Sequence, residues 1–408
     1  MSADDLSPWQ EHEGALTGVR VLDLTRILSG PFSSMILADL GADVIKIEDT
    51  RAGDDTRHWG PPFHGDDAAY FHAVNRNKRS LALDLKSDAG HKLALRLADD
   101  ADVVLENFRP GTAERLGLGY AQLSERNPGL IYGSVSGFGQ TGPLSNRAGY
   151  DAIAQAMSGA MSITGEQEGE PVRFGVAGAD LAAGMWMTIG VLAALHTRAS
   201  TGVGQQVDIS LLDGEVAWMT YVAQNYFATG NTPGRYGSAH PNIVPYQSFP
   251  TSDGNIMVAV GNDSLWRRFA AAVGLDDLAD DPALATNPDR NVHRDQLLPR
   301  IADALRQRRS DEWTHILTDA GVPVGPINTI PQALDQPQLR ARDMVVDLPH
   351  AAEGTIRTLG SPVKLSATPP TLRHASPLHG QHSVEILTSM GLSEHEVQSL
   401  IAEGTVLA

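Results

Sequence analysis

The segment from Val19 to Ile47 constrains this chain more than any other. Val19 to Leu24 is a short apolar run that ends in a polar loop. Gly30-Pro31 follows, and proline is favoured in the first helical turn. Phe32, Met35, Ile36 and Leu40 then recur at helical spacing, and Gly41 stands where a left-handed C-cap belongs. Asp43 to Ile47 reads as the next strand. This is one βαβ unit, which demands parallel strands and a right-handed crossover. The pattern continues with a strand at Leu81 to Leu85, a helix at Asp88 to Ala98, and strands at Val103 to Leu105 and Leu130 to Val135. Tyr150 to Ala160 reads as a helix, and Asp180 opens a long apolar one. The predicted fold class is α/β, an open doubly wound sheet.

After about Gly230 the character changes. Residues 231–246 are rich in Gly, Pro, Asn and Ser. A strand at Asn255 to Val260, a helix at Ser264 to Val273 and polar helices to about Ala320 predict a second, smaller domain. Gly321 to Pro326 reads as a loop leaving it, and the tail ends in a helix at Ser383 to Met390. The 408 residues allow two or three domains. A formal charge of −18 argues against nucleic-acid and anionic-membrane partners, which need a basic surface. The absence of cysteine removes thiolate nucleophiles, disulfides and Cys-ligated metals. The acidic N-terminal stretch carries no targeting pattern. The longest apolar run, Leu181 to Leu195, is shorter than a bilayer span of ~20 residues and predicts a buried core helix. A cytoplasmic enzyme is the expectation.

Gly137 to Gly142 matches G-x-G-x-x-G after a strand. A dinucleotide site needs a helix opening at the motif, whereas Pro143 and a polar stretch follow here. A glycine-rich loop at the carboxyl end of a strand is the better reading. His374, His379 and His382 lack an acidic partner that would complete a metal site, so no metal is expected. Asp180 reads on its own as a helix N-cap, a reading compatible with a carboxylate kept ionised by the helix dipole and reachable past small neighbours, as a nucleophile requires. The basic cluster Asn75 to Arg79 fits a solvated turn as well as a phosphate-contacting loop.

Taken together, these segments resemble the class III (family III, CaiB/BaiF-type) coenzyme A transferases, the group that also holds the 2-methylacyl-CoA racemases. The resemblance runs from Leu16 to Asp23 through Gly30-Pro31, Leu40 to Glu48, Asn75 to Ser80, Glu106 to Gly111, Gly137 to Pro143, Ala148 to Asp151 and Gly321 to Pro326. It implies a Rossmann-like large domain built from both chain ends, an inserted smaller α+β domain, and two ring-shaped subunits interlocked as a homodimer. On this sequence that gives a large domain at 1–215 and 351–408, linkers at 216–235 and 331–350, and a small domain at 236–330.

The resemblance also implies chemistry. Asp180 matches the nucleophilic aspartate, which would form an aspartyl anhydride and then an aspartyl-CoA thioester. Backbone amides near Gly139 and Gln140, or in the Tyr236 to Tyr246 loop, would stabilise the oxyanions. No permanently bound cofactor is implied, since coenzyme A and acyl-CoA are substrates. Asn107, Phe108 and Arg115 match nucleotide-contacting positions, Arg26 a position near the adenine and phosphates, and Lys78 and Arg79 the basic segment. Where relatives carry a phosphate-binding Arg after the Ile-Glu strand end, this chain has Asp49, and Arg51 is the substitute. Tyr150 stands where racemases carry a His, and a phenol with a pKa of ~10 is a poor base, which favours transfer over racemisation. Arg51 to Arg57, Trp59 to Phe63, Tyr236 to His240 and Ile243 to Gln247 look like the succinyl-CoA:glutarate branch. That implies a dicarboxylate pair, with Arg57, Tyr150 and His240 on the substrate side and Arg173 and Arg235 as further candidates. An NAD-dependent oxidoreductase resting on the glycine loop and a non-catalytic CoA-binding protein are the readings from other classes.

Overall fold

The computed structural model describes residues 7–408. The first six, where the acidic N-terminal stretch and the expected large domain begin, lie outside the described residues. The chain divides into two compact units. One comprises the residues up to Ala160, Arg173–Ala223 and Pro337–Ala408; the other comprises Met161–Val172 and Gln224–Gln336.

The first unit is built on a seven-stranded sheet. Its strands are β1 (Arg20–Asp23), β2 (Asp43–Glu48), β3 (Lys78–Leu83), β4 (Val103–Glu106), β5 (Ile131–Ser136), β6 (Gln206–Ser210) and β7 (Val406–Leu407). Their order is β7-β3-β2-β1-β4-β5-β6. The first six strands pair in parallel, and β7, from the extreme C-terminus, adds antiparallel to β3. The order 3-2-1-4-5-6 reverses direction between β1 and β4. Ligands of doubly wound sheets bind at that switch point, beyond the carboxyl ends of the strands.

Both faces of the sheet are covered, so the central strands are buried almost throughout, their charged residues included. Helix α1 (Ser29–Asp39) lies between β1 and β2, and α2 (Asp88–Asp100) between β3 and β4. Helices α3 (Asp151–Ser158), α4 (Gly178–Thr201) and α5 (Leu211–Val216) complete the parts that build the site. One core joins Leu22, Ile45, Leu81, Leu93, Leu97, Val104 and Tyr132 to Ile386 and Val406 from the C-terminal segment. The opposite face joins Val21, Val44, Val103, Ile131 and Val135 to Ala179, Ala183, Met187 and Val191 of α4.

Three sequence expectations change. First, α4 runs for 24 residues, long and apolar enough to cross a membrane by length and composition alone, although half of its apolar window is buried in the protein. Only one of its faces is core; Met185, Trp186 and Ile189 are exposed. Second, the strand predicted from Leu81 begins at Lys78. Third, Val324–Pro326 is no free loop but the edge strand of a three-stranded antiparallel sheet with Asn255–Ala259 and Tyr246–Pro250. That sheet belongs to the second unit, whose own core gathers Phe249, Val258, Trp266, Phe269, Ile301, Leu305 and Leu317.

The earlier start of β3 settles the basic cluster. A central strand buries both faces, so Lys78 and Arg79 point into the interior. Lys78 is fully buried and donates to Asp23 at 3.2 Å, the Pro31 carbonyl at 3.0 Å and Asn75 at 2.9 Å, using all three of its N–H groups. Arg79 binds Asp43, Glu385 and the Pro8 carbonyl. Neither can reach a phosphate in solvent, which corrects their assignment as CoA ligands. Burial outweighs the attraction of Asp23 and pushes Lys78 down to about 8.

A second buried cation, Lys46, pairs with Asp54 at 2.9 Å. Removing one member of such a pair leaves an uncompensated buried charge. Lys46→Met should therefore cost about 3–5 kcal/mol, read as a fall in ΔG by urea unfolding.

Candidate active site

The loop after β1 and the loop after β4 meet at the switch point. Asn107 fastens them together: its side-chain oxygen accepts the Arg26 N–H at 2.8 Å, and its amide donates to the Arg26 carbonyl at 2.6 Å. Between these loops and the end of β5 lies a cavity of about 140 Å³, lined by Arg26, Ile27, Asn107, Phe108, Arg109, Pro110, Ser136, Gly137, Arg147, Ala148, Gly149 and Tyr150. Arg26 stacks 6.0 Å from the Phe108 ring centroid and pairs with Asp55 at 3.3 Å. Arg147 lies 5.7 Å from the Phe138 ring. Three guanidinium groups and an aromatic wall suit a ligand that carries phosphate and a planar base. Arg109, Arg147 and Ser136 are additions that the sequence reading did not assign. Both arginines carry a signal in the sequence: Arg109 lies within Glu106 to Gly111, and Arg147 directly precedes Ala148 to Asp151.

The glycine loop borders this cavity. A Cβ on Gly137 would stand 2.6 Å from the Gly149 Cα, so two backbones touch there and only glycine fits. Gly139 and Gly142 both have φ of 87°. The Gln140 N–H already donates to Asp208, at 3.2 and 3.1 Å from its two oxygens, while the Gln140 side-chain nitrogen is buried without a partner. As the structure stands, this amide is not open to a substrate oxyanion. The next helix after the motif is α3, at Asp151, so no helix opens at the glycines to receive a pyrophosphate.

Asp180 lies in the first turn of α4, its third residue. It is not the N-cap: the helix begins at Gly178, and no side chain of its own N-cap residue caps it. The cap comes from α3, where Asp151 accepts the Ala179 N–H at 2.9 Å. Asp151 also accepts from the Gln155 side chain at 2.8 Å. Gln155, fully buried, takes the Phe174 N–H at 2.8 Å and so ties down the segment leading into α4. Asp180 is thereby released from a capping role. Burial, and then the charge of Asp151, push its carboxyl up to about 7, with a Ser29 hydrogen bond opposing. The same negative charges, after burial, push the Tyr70 phenol up to about 12.

Sequence neighbours link the cavity to Asp180. Arg26 lines the cavity and Ser29, three residues on, touches Asp180; Tyr150 lines it and Asp151 caps α4. Tyr150 is 61% exposed at the cavity wall.

Other assigned residues fall elsewhere. Arg57 is buried beyond the carboxyl end of β2, where it binds Glu48 through two nitrogens, Asp67, and the Pro377 carbonyl, with its guanidinium 3.6 Å from the Phe71 ring centroid. Saturated and enclosed, it cannot hold a substrate carboxylate, which corrects that assignment. Arg51 is exposed on the loop after β2 and does not line the cavity. Arg115 is exposed and bonds Thr112. Arg173 is exposed on the approach to α4. In the second unit, Arg235 donates to the carbonyls of Glu166 and Gly169. There too, His240 lies 5.5 Å from the Tyr246 ring and accepts the Asn242 N–H. His374, His379 and His382 bond backbone groups separately, and among the described residues no group of three His, Asp or Glu side chains is placed to hold a metal ion.

A sequence profile described as CoA-transferase family III matches residues 16–383. The chain is 45% identical over 383 residues to a succinate–glutarate CoA-transferase of Agrobacterium fabrum, covering 92% of this chain and 95% of that one. It is 41% identical over 392 residues to the human succinyl-CoA:glutarate CoA-transferase, covering 96% and 90%. A CAIB/BAIF family protein from Brucella suis superposes with a TM-score of 0.83 at 42% identity, over 93% of this chain and all of that one.

The cap exchange is testable by urea unfolding. Asp151→Ala should lose about 1 kcal/mol, the usual cost of a lost cap, and Asp180→Ala should lose less, since it makes no capping bond.

Proposed function

The chain belongs to CoA-transferase family III, and we propose that it moves coenzyme A from succinyl-CoA, or another dicarboxylyl-CoA, to a free dicarboxylate such as glutarate. It is an enzyme, and its reaction class is CoA transfer. The observation that carries the mechanism is Asp180: an uncapped carboxyl in the first turn of α4, one loop away from the cavity at the switch point.

The ionised Asp180 attacks the thioester carbonyl of the donor. The C–S bond breaks, giving a mixed anhydride and CoA thiolate. The thiolate attacks the aspartyl carbonyl, releasing the donor acid and leaving an aspartyl-CoA thioester. The acceptor carboxylate attacks that thioester, forming a second anhydride and regenerating the thiolate, which then attacks the acceptor's carbonyl. Products leave with Asp180 restored, and no proton is gained or lost overall. Coenzyme A would lie across the cavity, with Arg26, Arg109 and Arg147 toward its phosphates and Phe108 against its base. Arg173, on the segment leading into α4, takes over from Arg57 as the cation offered to the distal carboxylate. An oxyanion role for the Gly139–Gln140 amides requires the Gln140 N–H to leave Asp208.

Homodimerisation by interlocked rings belongs to the same reading. It is supported by the large apolar side chains that one copy leaves exposed on adjoining helices of the first unit, among them Ile153, Met157, Trp186, Ile189 and Val216. Sedimentation should find a dimer at every practical dilution; a folded monomer would overturn that topology.

Asp180→Ala and Asp180→Asn should both abolish transfer while CoA binding survives, because neither side chain is a nucleophile at neutral pH. Mass spectrometry after incubation with succinyl-CoA should find the wild-type adduct on the peptide that contains Asp180. Activity retained by Asp180→Asn, once deamidation is excluded, would sink the mechanism. A panel of acyl-CoA donors against dicarboxylic acids identifies the substrate pair.

A further inference from the structure

Helices α1 and α4 pack along a seam with a four-residue repeat. A Cβ on Gly184 would lie 2.6 Å from the Ser29 carbonyl oxygen, so the backbones meet there. One turn further along both helices, Ser33 and Thr188 share a hydrogen bond of 3.0 Å between their hydroxyls. One turn back from Gly184 on α4 is Asp180, which lies on the same face and so comes over the N-terminal end of α1. The first residue of α1 is Ser29, 5% exposed.

The approach to Ser29 is tightly held. Ile27, a β-branched residue, has φ of 73°, and its N–H donates to Asp54 at 3.3 Å. A Cβ on Gly30 would stand 2.4 Å from the Thr25 side chain. An alanine at position 29 would meet the packing needs of the seam as well as serine does. A buried hydroxyl is costly unless it is bonded, so its presence asks for a partner.

We propose that Ser29 is a positioning residue for the transfer reaction: its hydroxyl, fixed on the α1–α4 seam, hydrogen-bonds the Asp180 carboxylate, orients it and stabilises its charge. The inference rests on the reading of Asp180 as nucleophile. The need for such a donor follows from the surroundings. Asp151 on α3 faces Asp180 with a like charge, and Tyr70 lies close enough to feel that charge. Glu215 on α5 stands beside Gly178, 3.5 Å from where a Cβ would be, with one buried oxygen unpartnered. Among the described residues no cation acts on Asp180, so the first-turn dipoles and the Ser29 hydroxyl are what favour its ionised form. Loss of the hydroxyl lets burial and Asp151 push Asp180 further up. The acid limb of the transfer rate then moves to higher pH, since the ionised form is the reactive one.

The test measures kcat for succinyl-CoA and glutarate from about pH 5.5 to 9 in wild type, Ser29→Ala, Ser33→Ala and Asp180→Ala. Ser29→Ala should move the acid limb up by about one pH unit and lower kcat at pH 6.5 by about eight-fold, with both KM values unchanged. Ser33→Ala cuts the neighbouring seam bond without touching Asp180, and should leave the limb in place. An unmoved limb in Ser29→Ala, with Asp180→Ala inactive, overturns the inference and leaves the nucleophile standing. Equal shifts in Ser29→Ala and Ser33→Ala would mean seam packing rather than a specific bond, and would also overturn it. Transfer retained by Asp180→Ala removes the underlying reading itself. If Ser29→Ala does not fold, Ser29→Cys keeps the shape with a weaker donor, and should move the limb in the same direction by less.

Discussion

The site depends on four charges buried beneath it. Asp23 ends β1 and accepts hydrogen bonds from the Thr25 N–H and hydroxyl, the Ser34 hydroxyl and Lys78. Lys46, on β2, donates to the Thr25 carbonyl and pairs with Asp54, which in turn accepts the Ile27 N–H. Burial alone would neutralise these groups. Instead, Lys78 and Lys46 hold Asp23 below its usual range, and Lys46 with the Thr56 hydrogen bonds holds Asp54 down at about 2. These bonds tie down a loop of irregular backbone that carries Arg26 at one end and Ser29 at the other.

Rigidity at this point matters because the two halves of the chemistry come from different elements. The cavity is made by the ends of β1, β4 and β5, where the sheet reverses direction and leaves a crevice. The carboxylate comes from α4, which packs against α1 from the other side of the same loop. The α3 segment closes the arrangement: Tyr150 belongs to the cavity wall and Asp151 caps the first turn of α4. Two connections of a few residues each therefore hold the cavity and the Asp180 carboxylate in register.

Burial and the charge of Asp151 push the Asp180 carboxyl up to about 7, which bears on the proposed nucleophile. Its neighbours Asp151 and Glu215 are acidic, and burial raises both Asp180 and Glu215. A nucleophile with a pKa near the working pH retains more nucleophilic strength than an ordinary aspartate, while a useful fraction of it is still charged. Asp151 is well suited to sit so close, because the Ala179 N–H and the Gln155 amide share its charge.

Local pattern alone carried the alternation of strands and helices, the break in composition past Gly230 and the resemblance that singled out Asp180, Asn107 and Phe108. Apolar periodicity and glycine placement are set by neighbours along the chain, so they are written in it. What a charged side chain faces is not. Arg57, Lys78 and Arg79 looked like ligands for anions because an Arg or Lys in a short motif is the same letters whether it points at solvent or at a buried Asp. Their partners, Glu48, Asp23 and Asp43, lie 9 to 55 positions away in the chain and meet them only when the sheet assembles. The cap of α4 shows the same limit: Asp180 sits where a cap would stand, yet Asp151, 29 positions earlier, makes the bond. The sequence by itself determined the α/β fold class and the family, and through that family singled out Asp180. Tertiary structure alone decided which charges are interior counter-ions and which are free to act, because burial and pairing depend on distances that only packing of the folded chain creates.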